Sequence, residues 1–172
     1  MPERAIAQAF RRAVLGLNGG PTDALVVDLA CALGRPHKAE LIALHIVEVD
    51  WTRDLADDIA SGNETASAIL DHAEGIAERQ NVPLRTELIQ ARDVGAALVD
   101  EATELGADMM LVGLPYRKKF GGDFMIGKTV PYVLQNAPFG VIVVREPIAT
   151  GEGRGANTPI LTAAGTRDRQ RR

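Results

Sequence analysis

Four short runs of almost uninterrupted apolar residues recur along the chain: Ala13–Leu17 (AVLGL), Glu40–Val47 (ELIALHIV), Asp108–Val112 (DMMLV) and Val141–Val144 (VIVV). A strand buried on both faces reads as such a run, whereas a strand with one wet face alternates. A fifth run, Leu84–Ile89 (LRTELI), does alternate, as a half-exposed edge strand should. Between the runs, apolar residues fall at helical spacing: Leu25, Val26, Leu29, Ala30 and Leu33, then Ala66, Ile69, Leu70, Ala73, Ile76 and Ala77, then Val94, Ala97, Leu98, Ala102 and Leu105. The resulting order, β-α-β-α-β-α-β-α-β, admits few topologies, because parallel strands need helical crossovers of one hand. The expected fold is α/β, a single doubly wound five-stranded parallel sheet with helices on both faces. The third strand is the most edge-like and the first and fourth the most buried, which predicts the order 3-2-1-4-5.

Turn and cap residues punctuate this pattern. Asn18-Gly19-Gly20-Pro21 is a turn, and Thr22 or Asp23 caps the first helix, which Gly34 and Pro36 end. Asn63 or Thr65 is expected to cap a second helix over Glu64–Gln80, stopped by Asn81 and Pro83. Asp93 caps the third, Val94–Leu105, and Gly106 stops it. A long loop, Gly113–Gly127, leads to a fourth helix, Lys128–Asn136, closed by Ala137-Pro138. The polar segment Glu48–Asn63 is long for a connection and reads as a flap or interaction segment, with Trp51 expected as a packing anchor. Residues 1–11 read as a lead-in, 12–146 as the domain, and 147–172 as a disordered tail with Arg167, Arg169, Arg171 and Arg172 at its end.

Composition narrows the function. With 46% apolar residues, 24% charged and a net charge of −4, the chain shows neither a nucleic-acid footprint nor a membrane-surface face. No apolar run is long enough to span a bilayer or to serve as a signal, so the expected compartment is the cytoplasm. The one cysteine, Cys31, excludes an internal disulfide framework and a Cys-based zinc site, and reads as a small buried hydrophobe. His45 reads as a hydrogen-bonded strand histidine, since no Ser, Cys or carboxylate pattern points at it. No catalytic or metal-ligating residue is assigned.

In an open parallel sheet, ligands bind past the carboxyl ends of the strands, where the strand order reverses. Here that is between strands one and four, whose exit loops are Asn18-Gly19-Gly20 and Gly113–Gly127, the two glycine-richest turns. Glycine lets backbone amides approach a ligand closely, and the helix start after Gly127 offers unpaired N–H groups to an anion. Arg117, Lys118, Lys119 and Lys128 add cations. Gly122–Thr129 also fits G-x-x-x-x-G-K-[ST], but the strand before it ends near Val112, too early for a phosphate loop, and Phe124, Met125 and Ile126 are bulky for an anion cradle. No apolar strand ending in an exposed Asp supplies a magnesium partner. Lys128 and Thr129 still stand at a helix start as candidate phosphate contacts.

These segments resemble the universal stress protein family over about Arg12–Arg145. The carriers are Leu17-Asn18-Gly19-Gly20, Leu44-His45-Ile46-Val47, Ala107-Asp108-Met109-Met110-Leu111-Val112-Gly113, and Val133-Leu134-Gln135-Asn136-Ala137-Pro138-Phe139-Gly140-Val141-Ile142-Val143-Val144. The resemblance implies an adenine nucleotide alpha hydrolase-like fold, ATP or AMP as ligand with Mg2+ as companion, and a homodimer through Val141–Val144. It implies a nucleotide site at Gly16, Asn18 and Gly19 of the first strand and turn, Ile46, Val112 and Gly113, and Gly127, Lys128 and Thr129. Three departures mark this chain: Asn18 stands where the family has Asp, Tyr116 replaces the second loop glycine in a loop one residue longer, and Lys128 replaces a small hydroxyl residue. Three functions follow: a nucleotide-binding stress-response or regulatory protein with weak ATP hydrolysis at most, a dimeric scaffold without nucleotide, or a P-loop-like ATPase or kinase, for which no catalytic constellation speaks.

Overall fold

The computed structural model describes residues 9–52, 54, 60–118 and 124–148. The expected lead-in before residue 9, the tail beyond 148, part of the polar segment, and Lys119, Gly121 and Gly122 of the glycine loop lie outside them. The chain runs β1 (Arg12–Leu17), α1 (Asp23–Gly34), β2 (Glu40–Glu48), α2 (Ala60–Arg79), β3 (Leu84–Ala91), α3 (Val94–Glu104), β4 (Met109–Leu114), two short strands β5 (Arg117–Lys118) and β6 (Phe124–Met125), α4 (Thr129–Asn136) and β7 (Gly140–Arg145). The main sheet is parallel and five-stranded, ordered β3-β2-β1-β4-β7, so the predicted order holds with β7 as its fifth strand.

Strand parity divides the core into two layers. Leu15, Leu17, Leu41, Ala43 and Leu111 point toward α1 and α2 and pack on Val26, Val27, Ala30, Leu70 and Ala73. Val14, Ile42, Leu44, Met110 and Val112 point the other way, onto Leu98, Val99, Ala102, Val130 and Val133 of α3 and α4. Both faces of the central strands are dry, the physical cause of their unbroken apolar runs. Cys31 is buried in the first layer, and burial pushes its thiol upward. Among the described residues, no helix is long and apolar enough to cross a membrane.

Several local expectations change. Helix α2 begins at Ala60, so Asn63 and Thr65 lie inside it and not at its start. Asp108 stands just before β4. Its carboxylate accepts the backbone N–H groups of Arg11 and Arg12 at 3.0–3.1 Å, pinning the amino rim of β1. Trp51 is no packing anchor. It is 81% exposed, with the Arg92 guanidinium 5.2 Å over its ring. The glycine loop is not plain loop, because β5 and β6 pair in it as an antiparallel hairpin.

Candidate functional site

β1 leaves the sheet into a turn that is held from behind. Asn18 Oδ1 accepts Gly20 N–H at 2.7 Å. Asp23, the first residue of α1, reaches back so that its two oxygens accept Asn18 N–H at 3.2 Å and Gly19 N–H at 2.7 Å. Gly19 has φ +79°, a left-handed conformation that a Cβ resists. Burial pushes the Asp23 carboxyl above its ordinary value, against the pull of the Asn18 and Gly19 amides and of His45 and His72. His45 Nδ1 donates to Leu17 carbonyl at 2.9 Å, which makes it the hydrogen-bonded strand histidine that was expected.

Next to this turn, β4 ends in Gly113, against which Thr22 is packed. A Cβ on Gly113 would lie 2.8 Å from Thr22 Cβ. Thr22 is fully buried, and its Oγ1 has no hydrogen-bond partner among the described residues. The start of α1 is therefore wedged against the carboxyl end of β4.

In front of the wedge opens a cleft of about 740 Å³, its mouth included. Gly16, Leu17 and Asn18 form one wall, and Val112, Gly113, Leu114 and Pro115 the other. Val94 and Leu98 of α3 and Val130 of α4 supply apolar lining, with Thr129 beside them. Arg117 and Met125 reach in from the hairpin. Gly16 pairs with Val112 across β1 and β4, and a Cβ there would come 3.0 Å from Val112 Cγ1. At Gly127 a Cβ would meet nothing within 4 Å among the described residues, so no packing contact of theirs demands glycine there. Helix α4 begins with no side-chain cap. Its Thr129 and Val130 amides are among the unpaired donors of a first turn, while Pro131 has none to offer.

Six of the residues singled out from sequence meet in this one cleft: Gly16, Asn18, Val112, Gly113, Gly127 and Thr129. Three do not line it. Gly19 faces a separate groove between α1 and α2, beside Pro21, Ile69 and His72. Ile46 is buried in the apolar layer with Leu98 and Val130. Lys128 is exposed and its Nζ lies 3.0 Å from Glu48 Oε1, a pairing that raises its pKa. It borders a neighbouring hollow with Asp50, Trp51, Arg92 and Asp93. The ring of Tyr116 stays out of the cleft lining, stacked on Phe124 at 5.3 Å with the Arg145 guanidinium 5.5 Å from its centre. Val94, Leu98 and Val130 were read only as core or helix residues. The topology itself gives their place, because the starts of α3 and α4 fall at the carboxyl rim.

The model of the universal stress protein family matches residues 9–145. Among curated proteins none matches the chain. Among solved structures it is similar to a universal stress protein in complex with cAMP, at 21% identity and TM-score 0.59, covering 80% of this chain and 98% of that one. A universal stress protein from Archaeoglobus fulgidus aligns at 18% identity and TM-score 0.66, covering 77% and 97%. One from the same organism in complex with dAMP aligns at 16% and 0.61, covering 77% and 96%. At such identities the structures speak for the fold. The family match spans most of the chain and reaches from before β1 to the end of β7, and on it the chain belongs to the universal stress protein family.

Proposed function

We propose that this chain is a nucleotide-binding universal stress protein whose cleft takes ATP or AMP, in a stress-response or regulatory role. The observation that carries the reading is the convergence of Gly16, Asn18, Gly113, Gly127 and Thr129 at the reversal point of the sheet. The apolar wall of Val94, Leu98, Val112 and Val130 suits a base and sugar, and the uncapped start of α4 with Arg117 suits a phosphate. Similar structures in complex with cAMP and dAMP support the choice of an adenine nucleotide. In this reading Gly19 and Ile46 support the turn and the wall, Lys128 guards the rim, and residues 12–146 form the working domain. Turnover is limited to weak ATP hydrolysis, and the compartment is the cytoplasm.

The test is a melting series with adenine nucleotides. A ligand at ~100 times its dissociation constant adds about 2.7 kcal/mol, or roughly 5–10 °C for a chain of this size. Gly127→Trp, which fills the open space at that position, should remove the shift and leave the ligand-free melting point in place. No shift with ATP, AMP or cAMP would favour the competing reading, a dimeric scaffold without nucleotide. One observation speaks for that reading: Lys128, the cation next to the helix start, is paired with Glu48 outside the cleft.

Assembly is part of the same proposal. β7 ends the sheet beyond β4, and Val141–Val144 are only partly buried on this open edge. An unpaired edge of this kind is a template for a second copy, and antiparallel pairing across a two-fold axis closes it. Light scattering at micromolar concentration should give the mass of a dimer, and a monomer would remove this part of the proposal.

A further inference from the structure

The family resemblance brings Mg2+ along with ATP, and the donors around the cleft test whether such an ion has a seat. Mg2+ is held through one or two carboxylates together with substrate phosphates. Among the described residues, no Asp or Glu lines this cleft. At position 18, where the family carries Asp, stands Asn18, and its Oδ1 is already taken by Gly20 N–H. Asn18 brings no negative charge, and its Nδ2 is a donor that suits a ligand oxygen and not a cation. Among the described residues, four carboxylates on the elements around the cleft serve the protein itself. Asp23 accepts the turn amides, Asp93 accepts Ala96 N–H at 2.9 Å, Glu48 holds Lys128, and Glu146 accepts Tyr116 N–H at 2.6 Å. Among the described residues, no trio of His, Cys, Asp or Glu side chains is placed to hold a metal. Among the described residues, the charged side chain in the lining is Arg117, a cation. The residues do not fit Mg2+.

We infer that the cleft takes its adenine nucleotide as the metal-free anion, with Arg117 supplying the positive charge that Mg2+ would otherwise bring. The inference rests on the reading of the cleft as a nucleotide site and adds the form of ligand that it selects. Free ATP and AMP are then the binding species, and Mg·ATP must shed its ion or leave the ion without a protein partner. Asn18→Asp would restore an anionic oxygen while keeping an acceptor for Gly20 N–H, so the turn is preserved.

Calorimetric titration of the full chain with ATP and with AMP, each in EDTA and in millimolar MgCl2, tests this. ATP should bind in EDTA, and Mg2+ should leave the affinity equal or weaken it, by up to about tenfold or more where only the small unchelated fraction binds. AMP, which chelates the ion weakly, should change by less than about twofold. In Asn18→Asp, Mg2+ should tighten ATP. Tightening of ATP by Mg2+ in the natural chain would overturn the inference and leave the nucleotide reading standing, as would an Asn18→Asp variant indifferent to the ion. Binding of neither nucleotide in either buffer would instead sink the nucleotide reading, and this inference with it.

Discussion

Gly113→Ala is expected to lower stability by about 1–3 kcal/mol, the range for forcing extra atoms into a packed site. The new methyl would press into Thr22 Oγ1 and lie 2.8 Å from Thr22 Cβ, with Val26 Cγ2 a further 3.5 Å neighbour. Thr22 cannot swing aside, because it is fully buried at the start of α1 and its Cβ is fixed to the backbone. Relief therefore requires α1 to move away from β4. The contact can be isolated with a double-mutant cycle. Thr22→Ala removes the obstructing hydroxyl, and that hydroxyl has no partner among the described residues, so its loss forfeits no hydrogen bond. Urea unfolding should show the double variant Gly113→Ala/Thr22→Ala to be more stable than the two single effects predict by addition. Simple additivity would mean that the wedge does not exist.

Gly19→Val should cost about 2 kcal/mol or more, through a different mechanism. The left-handed φ of +79° alone disfavours any Cβ by roughly 1–2 kcal/mol, and a β-branched side chain suffers most. The new Cβ would also lie 2.8 Å from Ile69 Cδ1 on α2. If the turn shifts to relieve this, Asn18 moves with it, so the nucleotide-induced melting shift should shrink along with the melting point. Gly75→Ala supplies a control of opposite sign. It lies in the interior of α2, where a Cβ comes no closer than 3.8 Å to Arg79 Nη1. There the substitution should stabilise by about 0.5–1 kcal/mol, since only the entropy of the unfolded chain changes. A Gly19→Val variant that melts with the natural chain would remove the positive φ from the account of this turn.

Both substitutions bear on the part of the molecule that was most legible in the sequence. Central strands dry on both faces leave unbroken runs such as Met109–Val112, and the half-wet edge strand leaves the alternation of Leu84–Ile89, so strand order could be read from burial alone. Topology then brought the Asn18 and Gly113 loops together. What escaped was set by particular side-chain partners, one of them distant in sequence. Lys128 looked like a phosphate contact because it stands at a helix start, but Glu48, eighty residues away, holds its ammonium group. Asp23 was expected as a cap for the helix ahead of it, and instead its carboxylate binds the turn behind it. The β5–β6 hairpin has strands of two residues each, too short for any period, and the stacking of Tyr116 on Phe124 joins its two arms. The start of α2 was misplaced because Asn63 and Thr65 are good capping types, while Ala60-Ser61-Gly62 carries no apolar stripe to announce a helix.

The exposed indole of Trp51 has a practical consequence. The sequence contains one tryptophan, and it sits on the hollow shared by Glu48, Lys128 and Asp93, a few residues from the cleft rim. Fluorescence excited in that ring thus arises from one known address, with no background from elsewhere in the chain. Any event that parts Lys128 from Glu48, or lifts Arg92 off the ring, changes the polarity felt by the emitter. The protein carries its own optical gauge at the doorway, and a guest's arrival can be timed without attaching a dye.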